Sequence, residues 1–396
     1  MEYALKLILI FASAWITLRQ IYWWQVKEYR FDRWWSWMRF NQGFRELWGT
    51  SLRRPAMTFR TVIMMLLWLG TGLFLGRWWG WLIAAYIGPI LGVMGTSPAN
   101  WLGKIVLMEV AKKRIEAVKP KIIGITGSYG KTSSKELLAQ ALEGHFRIVK
   151  TLKNENTEIS IARRILAVIK PGVEVFVMEV GAYRWGEIAR VCRMAPPDIA
   201  WVTAIGNQHL DLFGGVDNLK RAKFEIVEGL KPGGVAVFNK AAGEEDLIRW
   251  AKEINVKSVV YEAGGREGNK VGVTEVARLM GLSNVKIGVI PGLEIKETPG
   301  GIKVIDSSYS TNQQTFEEDI DLLEKMTGRR FVVSPGIIEL GRETENVHKK
   351  LRERMKDLDG VWMGEYKGIE KTLRSGDIVL IEGRIPSGVK NKILSL

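Results

Sequence analysis

Cysteine and histidine are scarce in this sequence, with one cysteine, Cys192, and three histidines among 396 residues. A single cysteine permits neither an internal disulfide nor a zinc ribbon. A folded part without disulfides favours a reducing compartment. No Cys/His or Ser/His arrangement stands out, so the sequence does not indicate catalysis by a covalent protein nucleophile.

Long apolar runs are missing after residue 100, whereas three precede it: Tyr3–Leu18, Thr61–Gly76 and Trp78–Thr96. Each is near the lower limit for crossing about 30 Å of hydrocarbon. Arg77 and the tryptophans beside it are typical of a tight turn at a membrane interface. We therefore expect about three transmembrane helices. A signal peptide for the first run, and a buried helical hairpin for the other two, are the alternatives.

The net charge of +14 predicts an acidic partner, which could be nucleic acid, anionic lipid or a phosphorylated substrate. About nine basic and three acidic side chains lie between Arg19 and Arg60, interleaved with tryptophans. That pattern favours anionic lipid over nucleic acid. Because positive residues resist translocation, we expect this stretch in the cytoplasm, the N-terminus outside, and everything after Thr96 inside, where ATP is available.

The segment "KIIGITGSYGKTSSKELL" from Lys121 predicts a strand, a glycine-rich loop and a helix. Glycines at 124, 127 and 130 would let the backbone curl, so that its N–H groups meet phosphate oxygens. Ile125 stands where the standard phosphate loop has glycine, so this is a variant; the alternative is a chance match in a surface turn. The expected nucleotide-binding residues here are Gly127, Ser128, Gly130, Lys131, Thr132 and Ser133, with Lys131 for the β- and γ-phosphates and Thr132 for Mg²⁺.

Three later residues are candidates for catalysis or metal binding. Glu179 ends the apolar strand "EVFVMEV", at the edge where α/β sheets bind ligands, and could hold Mg²⁺ or be an ordinary charged strand end. His209 follows the strand "IAWVTAIG" and is either a metal ligand or a hydrogen-bonded structural histidine. Lys223 lies in "LKRAKFEIVEGL", which taken alone predicts a solvent-exposed helix face.

The loop "GITGSYGKTSSKE" resembles the ATP loop of the Mur ligases. Later stretches resemble one branch of that family, the UDP-N-acetylmuramoyl-tripeptide–D-alanyl-D-alanine ligases (MurF). The similarity runs in order over roughly residues 120–390. Its central-domain matches are Asn154, Asn156 and Glu158; Glu179, Gly181, Gly186 and Glu187; and His209, Phe213, Gly214, Ala222, Lys223 and Glu225.

The resemblance continues in "GGIKVIDSSYSTNQQTFEEDIDLL" through Asp306, Ser308, Tyr309 and Asn312, and in "IIELG" through Glu339 and Gly341. Strands near 302–306, 330–334, 360–363 and 377–382 predict a small Rossmann-like domain. Pro291 and Gly292 mark its expected hinge.

The resemblance implies ATP, with two Mg²⁺ ions, as the cofactors. It implies Lys131, His209 and Lys223 as catalytic residues and Thr132, Glu179, His209 and Lys223 as metal ligands, with Lys223 carbamylated. It adds Asn156, Asn269, Asp306, Tyr309 and Asn312 to the nucleotide site. The implied reaction is amide-bond formation through an acyl phosphate, in the synthesis of cell-wall peptidoglycan precursors.

The sequence departs from the family in three places. Leu293 and Glu294 stand where an arginine usually follows the hinge glycine. The adenine-side segment "GNKVGVTEVARLMGLS" keeps only a trace of an expected longer helix, with Asn269. The usual domain that grips the UDP-sugar is absent, and the membrane segment occupies its place.

We therefore predict an α/β chain with a membrane segment (1–100), a central phosphate-loop Mur ligase domain (101–290) and a C-terminal Rossmann-like domain (291–396). The expected location is the cell membrane, with the catalytic domains in the cytoplasm. Expected partners are anionic lipid, a peptide or lipid-linked wall precursor, an amino acid or dipeptide donor and a wall-synthesis protein, but not nucleic acid. A poly-γ-glutamate-type synthase and a non-catalytic ATP-binding scaffold are the alternative functions.

Overall fold

The computed structural model describes residues 2–27, 29–31, 34–35, 38, 47, 54–152, 155–206, 213, 215–240, 245–288, 294–308, 313–337 and 344–396. Contacts within the chain divide it into two compact units, Met1–Val106 and Leu107–Leu396.

Three helices provide the described part of the first unit: α1 (Glu2–Val26), α2 (Phe59–Leu75) and α3 (Trp78–Val118), the last of which continues past the unit boundary. Lys6–Val26 and Trp79–Val118 are long and apolar enough to cross a membrane, while α2, at 17 residues, is shorter. Length and composition alone do not distinguish such helices from the core helix of a soluble protein. They therefore give weak support to the predicted spans.

The third apolar run ends at Thr96, but α3, the helix that contains it, continues to Val118. The apolar run stops where charged residues such as Lys104 and Glu109 begin, but charged side chains on a helix surface do not end the helix. The end of a hydrophobic run was therefore a poor guide to the end of this element.

Helices α2 and α3 are joined at Gly76 and Arg77, where the sequence predicts a tight turn. Gly76 ends α2 with φ +63°, a conformation that glycine adopts without strain. The two helices approach closely, since a Cβ at Gly92 would lie 2.5 Å from Met64 Cγ and one at Gly88 would lie 2.7 Å from Trp68 Cα. Small residues at such contacts are typical of helices that pack within a membrane.

The second unit begins with a six-stranded parallel sheet in the order β2-β3-β1-β4-β5-β6. Buried apolar side chains pack on both of its faces. Its strands are β1 (Lys121–Thr126), β2 (Ile148–Lys150), β3 (Val175–Glu179), β4 (Ile199–Val202), β5 (Val235–Asn239) and β6 (Lys257–Tyr261). The helices are α4 (Lys131–Leu142), α5 (Glu158–Val168), α6 (Glu187–Met194), α7 (Val216–Glu228), α8 (Glu245–Glu253) and α9 (Gly265–Leu279).

A second, five-stranded sheet follows, in the order β10-β9-β11-β8-β7. Its strands are β7 (Glu294–Glu297), β8 (Lys303–Ser307), β9 (Arg330–Ser334), β10 (Gly360–Met363) and β11 (Ile378–Glu382), and the helices are α10 (Gln313–Glu324), α11 (Thr344–Arg354), α12 (Ile369–Thr372) and α13 (Ser387–Leu394). The sheet is parallel except for β7, which pairs antiparallel with β8. The α/β class is therefore confirmed, and the narrower Rossmann-like assignment stays a prediction.

Candidate functional site

The glycine-rich loop lies between the end of β1 and the start of α4, as the sequence predicts. Gly127 has φ +148° and Gly130 has φ +76°, both in a region that other residues rarely adopt. A Cβ at Gly127 would overlap Thr203 Oγ1, and one at Gly130 would lie 2.5 Å from Asn269 Oδ1. A side chain is therefore excluded at both positions, 127 and 130.

Gly124 does not belong to this loop, contrary to the prediction. It lies inside β1, paired with Met178 of β3 and Ala200 of β4. A Cβ there would lie 3.0 Å from Ile226 Cδ1, so its small size serves packing between the sheet and α7. Gly124 is thus a packing residue of β1, which explains why it does not stand at the position of the first glycine in the standard phosphate loop.

Lys131 is the first residue of α4, where the helix N-terminus favours negative charge. Its Nζ donates to the carbonyl oxygens of Gly127, at 2.7 Å, and Ser128, at 3.1 Å. Burial lowers the pKa of Lys131, and the nearby Glu179 carboxylate opposes that shift. Thr132 and Ser133, both half-buried, follow in the same turn.

Glu179 ends β3, as predicted, and is 3% exposed. Asn156 Nδ2 donates to its Oε1 at 3.4 Å, and the Glu179 backbone N–H donates to Thr151 Oγ1 at 3.0 Å. The Asn156 carbonyl also accepts from Gly181 N, at 2.8 Å. The structure thus brings two residues from separate sequence matches, Asn156 and Glu179, into contact.

Lys135, which sequence reasoning passed over, completes the surroundings of Glu179. Its side chain is 0% exposed, and its Nζ donates to Glu179 Oε2 at 3.2 Å. The available signal was its spacing, because a residue four positions after Lys131 lies on the same face of α4.

Lys223 lies on α7 and is 3% exposed, so the interpretation as a solvent-exposed helix face was wrong. Among the described residues, no hydrogen bond or ion pair is formed by its amine. Its pKa is lowered to about 7, chiefly by burial and then by the charge of Lys131, while Glu187, Glu225 and Glu179 oppose the shift. Lys131 and Glu179 thus lie within electrostatic range of Lys223.

Glu225, two residues after Lys223, stabilises the start of α6. Its carboxylate accepts from the backbone N–H groups of Gly186, at 2.5 Å, and Ala189, at 2.9 Å. Burial raises the pKa of Glu225, and these two hydrogen bonds oppose that rise. A carboxylate at a helix N-terminus satisfies donors that have no partner within the helix.

Asn269 lies on α9, a full helix of 15 residues, where the sequence predicts only a trace of one. Its Oδ1 accepts from Ser134 Oγ on α4 at 3.0 Å. The side chain therefore adjoins the phosphate loop at Gly130.

Asp306 is the last residue but one of β8 and is held by a lysine that the sequence did not suggest. Lys390 Nζ contacts Asp306 Oδ2 at 2.7 Å and donates to Ser308 Oγ at 2.7 Å. The pKa of Asp306 is lowered by hydrogen bonds from Lys390 and Ser308 against the opposing effect of burial.

Other predicted residues lie outside the described part of the chain: Asn154, His209, Gly214, Pro291, Gly292, Leu293, Tyr309, Asn312, Glu339 and Gly341. Within the described residues, no group of three or more His, Cys, Asp or Glu is arranged to hold a metal ion. Glu179 and Thr132 are thus the described candidates for metal ligands, together with Lys223 if it is carbamylated.

Comparison with known proteins identifies the central domain. The Mur ligase middle domain family matches residues 125–281. The UDP-N-acetylmuramoyl-tripeptide–D-alanyl-D-alanine ligase of Bacillus subtilis (strain 168) is 27% identical over 289 residues, which cover 62% of this chain and 62% of that protein. The Escherichia coli (strain K12) ligase of the same name is 27% identical over 293 residues, covering 61% and 63%.

A crystal structure of MurF ligase from Thermotoga maritima in complex with ADP shares the fold, with a TM-score of 0.63 at 23% identity, over 74% of this chain and 82% of that one. The chain spans less than two thirds of the length of the two curated relatives. The resemblance that the motifs predict is confirmed: residues 125–281 match the Mur ligase middle domain, and the chain is similar to the MurF ligases in sequence and in fold.

Proposed function

We propose that this chain is an ATP-dependent amide-bond ligase of peptidoglycan precursor synthesis. The observation that carries the proposal is the meeting of three groups at the carboxyl edge of the first sheet. These are the phosphate loop with Lys131, the buried carboxylate of Glu179, and the buried amine of Lys223. The amine of Lys223 interacts electrostatically with both Lys131 and Glu179. Carboxyl edges of parallel strands are where α/β proteins bind ligands.

The residues fit a nucleotide. Glycine is required at 127 and 130, the backbone N–H groups at the start of α4 favour anionic groups, and Asn269 closes one side of the loop. On binding, phosphate oxygens would replace the carbonyl oxygens of Gly127 and Ser128 as acceptors for Lys131.

The residues also fit Mg²⁺, which prefers oxygen ligands. Glu179 and Thr132 would hold it, with His209 and a carbamylated Lys223 as further ligands implied by the family resemblance. When bound, the ion would supply positive charge that offsets the negative charge of the phosphates.

The proposed reaction has two steps. An oxygen of the acceptor carboxylate bonds to the γ-phosphorus of ATP, and the bond to the β-phosphate oxygen breaks, giving an acyl phosphate and ADP. The donor amine then attacks the acyl carbon, loses a proton, and phosphate leaves from the tetrahedral intermediate. Lys131 stabilises negative charge on the transferring group, and the protein contributes chiefly positioning and charge neutralisation.

We also propose that the first unit seats the enzyme in a membrane, with the catalytic domains in the cytoplasm. Large apolar side chains on its helices are exposed, among them Phe11, Leu66, Leu73, Phe74, Trp101 and Leu102. A lipid-linked wall peptide would then be the acceptor held at the membrane surface, and the basic stretch Arg19–Arg60 would meet its phosphates and anionic lipid. The named relatives act on a UDP-linked tripeptide and D-alanyl-D-alanine.

The test is product analysis by mass spectrometry, with ATP, Mg²⁺, D-alanyl-D-alanine and either UDP-linked or lipid-linked muramoyl tripeptide. We expect an amide product and one ADP per amide formed. Lys131→Ala should lower the rate about 10²–10³-fold, because one charge on the transferring phosphoryl group is lost. Lys257→Ala, at an exposed position on the edge strand β6, should retain the wild-type rate. Absence of product with every acceptor, or wild-type turnover in folded Lys131→Ala, would contradict the proposal.

A further inference from the structure

Lys135 is a buried cation for which the reaction described above has no use. It lies on α4, one turn after Lys131, and its side chain is 0% exposed. A buried ammonium group costs several kcal/mol of desolvation unless it is paired and hydrogen-bonded. Its contacts should therefore indicate why it is there.

Those contacts centre on Glu179. Lys135 Nζ donates to Glu179 Oε2 at 3.2 Å and to the Leu152 carbonyl oxygen at 3.3 Å, and lies 3.5 Å from Glu136 Oε1. The other carboxylate oxygen, Oε1, has a longer contact, 3.4 Å from Asn156 Nδ2. The two oxygens of Glu179 are thus unequal, because one is paired with a charge and the other accepts one long hydrogen bond from an amide.

This inequality matters for a divalent cation. The ammonium group of Lys135 already meets Oε2, and like charges repel, so a cation is disfavoured at that oxygen. A cation could replace the long amide contact at Oε1 at a smaller cost in free energy than the ion pair at Oε2.

We propose that Lys135 is a positioning residue that holds Glu179 through Oε2 and leaves Oε1 to ligate the divalent cation. The proposal rests on the proposed function, since it assigns a supporting residue to the same cation site. The division of labour on α4 is then clear: Lys131 serves the phosphates, and Lys135 orients the carboxylate.

The experiment measures Mn²⁺ binding to the full-length protein by electron paramagnetic resonance, with ADP present and no turnover. Groups that orient a metal ligand typically contribute 10–100-fold to metal affinity, so Lys135→Met should weaken Mn²⁺ binding by about that factor. Binding of ADP without a divalent cation should change less than about threefold, because Lys135 does not meet the phosphates.

Lys150→Met is the matched control. Lys150 pairs with Glu136, the same carboxylate that adjoins Lys135, but it does not contact Glu179 and is 31% exposed. This variant should bind Mn²⁺ as the wild type does. Lys135→Gln, which keeps a hydrogen-bond donor without the charge, provides a second variant if Lys135→Met does not fold, and it should also bind Mn²⁺ more weakly.

Wild-type Mn²⁺ affinity in folded Lys135→Met or Lys135→Gln would overturn this inference while leaving the proposed function intact. A wild-type protein that shows no ADP-dependent Mn²⁺ binding would instead overturn the proposed cation site itself. Equal weakening in the Lys150→Met control would show that the effect does not depend on the contact with Glu179, and it would also overturn the inference.

Discussion

At the scale of single residues, Lys223 is the side chain whose environment most changes its chemistry. An exposed lysine, with a pKa near 10.4, is almost fully protonated at neutral pH. Burial, followed by the charge of Lys131, lowers the pKa of Lys223 to about 7. A substantial fraction is therefore the neutral amine, and only that form can attack CO₂ to give a carbamate with release of a proton.

We expect turnover to depend on bicarbonate and to fall as the pH drops through about 7, because protonation of Lys223 removes the nucleophilic amine. Lys223→Ala should lower turnover roughly 10²-fold, with partial recovery on addition of formate or acetate, which would supply the missing carboxylate. Turnover that is independent of bicarbonate, together with wild-type rates in Lys223→Ala, would contradict this role.

At the scale of secondary-structure elements, a buried ion pair joins helices that belong to the two sheets of the second unit. Arg266 on α9 forms a two-pronged pair with Asp319 on α10, with Nη2 at 2.8 Å from Oδ2. Asp319 is fully buried, and the Arg266 backbone N–H donates to Glu318 at 3.3 Å. The pKa of Arg266 is raised by Asp319, although burial, the largest single effect, opposes the rise.

Removing one partner of this pair leaves a buried charge without compensation. We predict that Arg266→Ala lowers the free energy of unfolding of the second unit by about 3–5 kcal/mol. Urea unfolding followed by circular dichroism measures the change. The control is Lys270→Ala on the same helix, whose exposed pair with Glu267 should contribute less than about 1 kcal/mol. An equal loss in both variants would contradict the prediction, because it would show that any substitution on α9 lowers the free energy of unfolding to the same extent.

The elements also show what sequence patterns could reach. Four C-terminal strands were predicted within a residue or so of β8, β9, β10 and β11, because each is a short and largely apolar run. The strand β7 was missed, because its sequence "EIKE" is exposed throughout and has no apolar face.

Within the site, motif spacing placed the loop, Glu179 and Lys223 on the correct elements, since these depend on local sequence. Burial and pairing depend on distant segments, and there the sequence was a weaker guide. It predicted a solvated Lys223, assigned Gly124 to the loop, and gave Lys135 no role. The observed environments of these residues instead depend on tertiary contacts that involve β3, β4 or α7, which a local pattern does not reveal.

At the scale of the whole molecule, the proposed chemistry would need the second unit in the cytoplasm, where ATP is available, and the charge distribution predicts the same orientation. The single cysteine makes this measurable. Cys192 is 2% exposed, and its pKa is raised to about 12, first by burial and then by Glu225. Its thiol is thus both inaccessible and protonated, and it should react very slowly with maleimides. The natural protein therefore serves as a nearly unreactive background for cysteines introduced elsewhere.

The last prediction uses two such cysteines, one added before Met1 and the other Glu253→Cys at an exposed position in α8. In intact cells, a membrane-impermeant maleimide should label the cysteine added before Met1, because three spans place the N-terminus outside. Glu253→Cys should be labelled only after the cells are permeabilised, and the unsubstituted protein should remain unlabelled in both conditions. Labelling of Glu253→Cys in intact cells would contradict a cytoplasmic catalytic unit. Protection of both cysteines until permeabilisation would contradict three spans, and the 17-residue helix α2, the shortest of the three, would then be the span to reject.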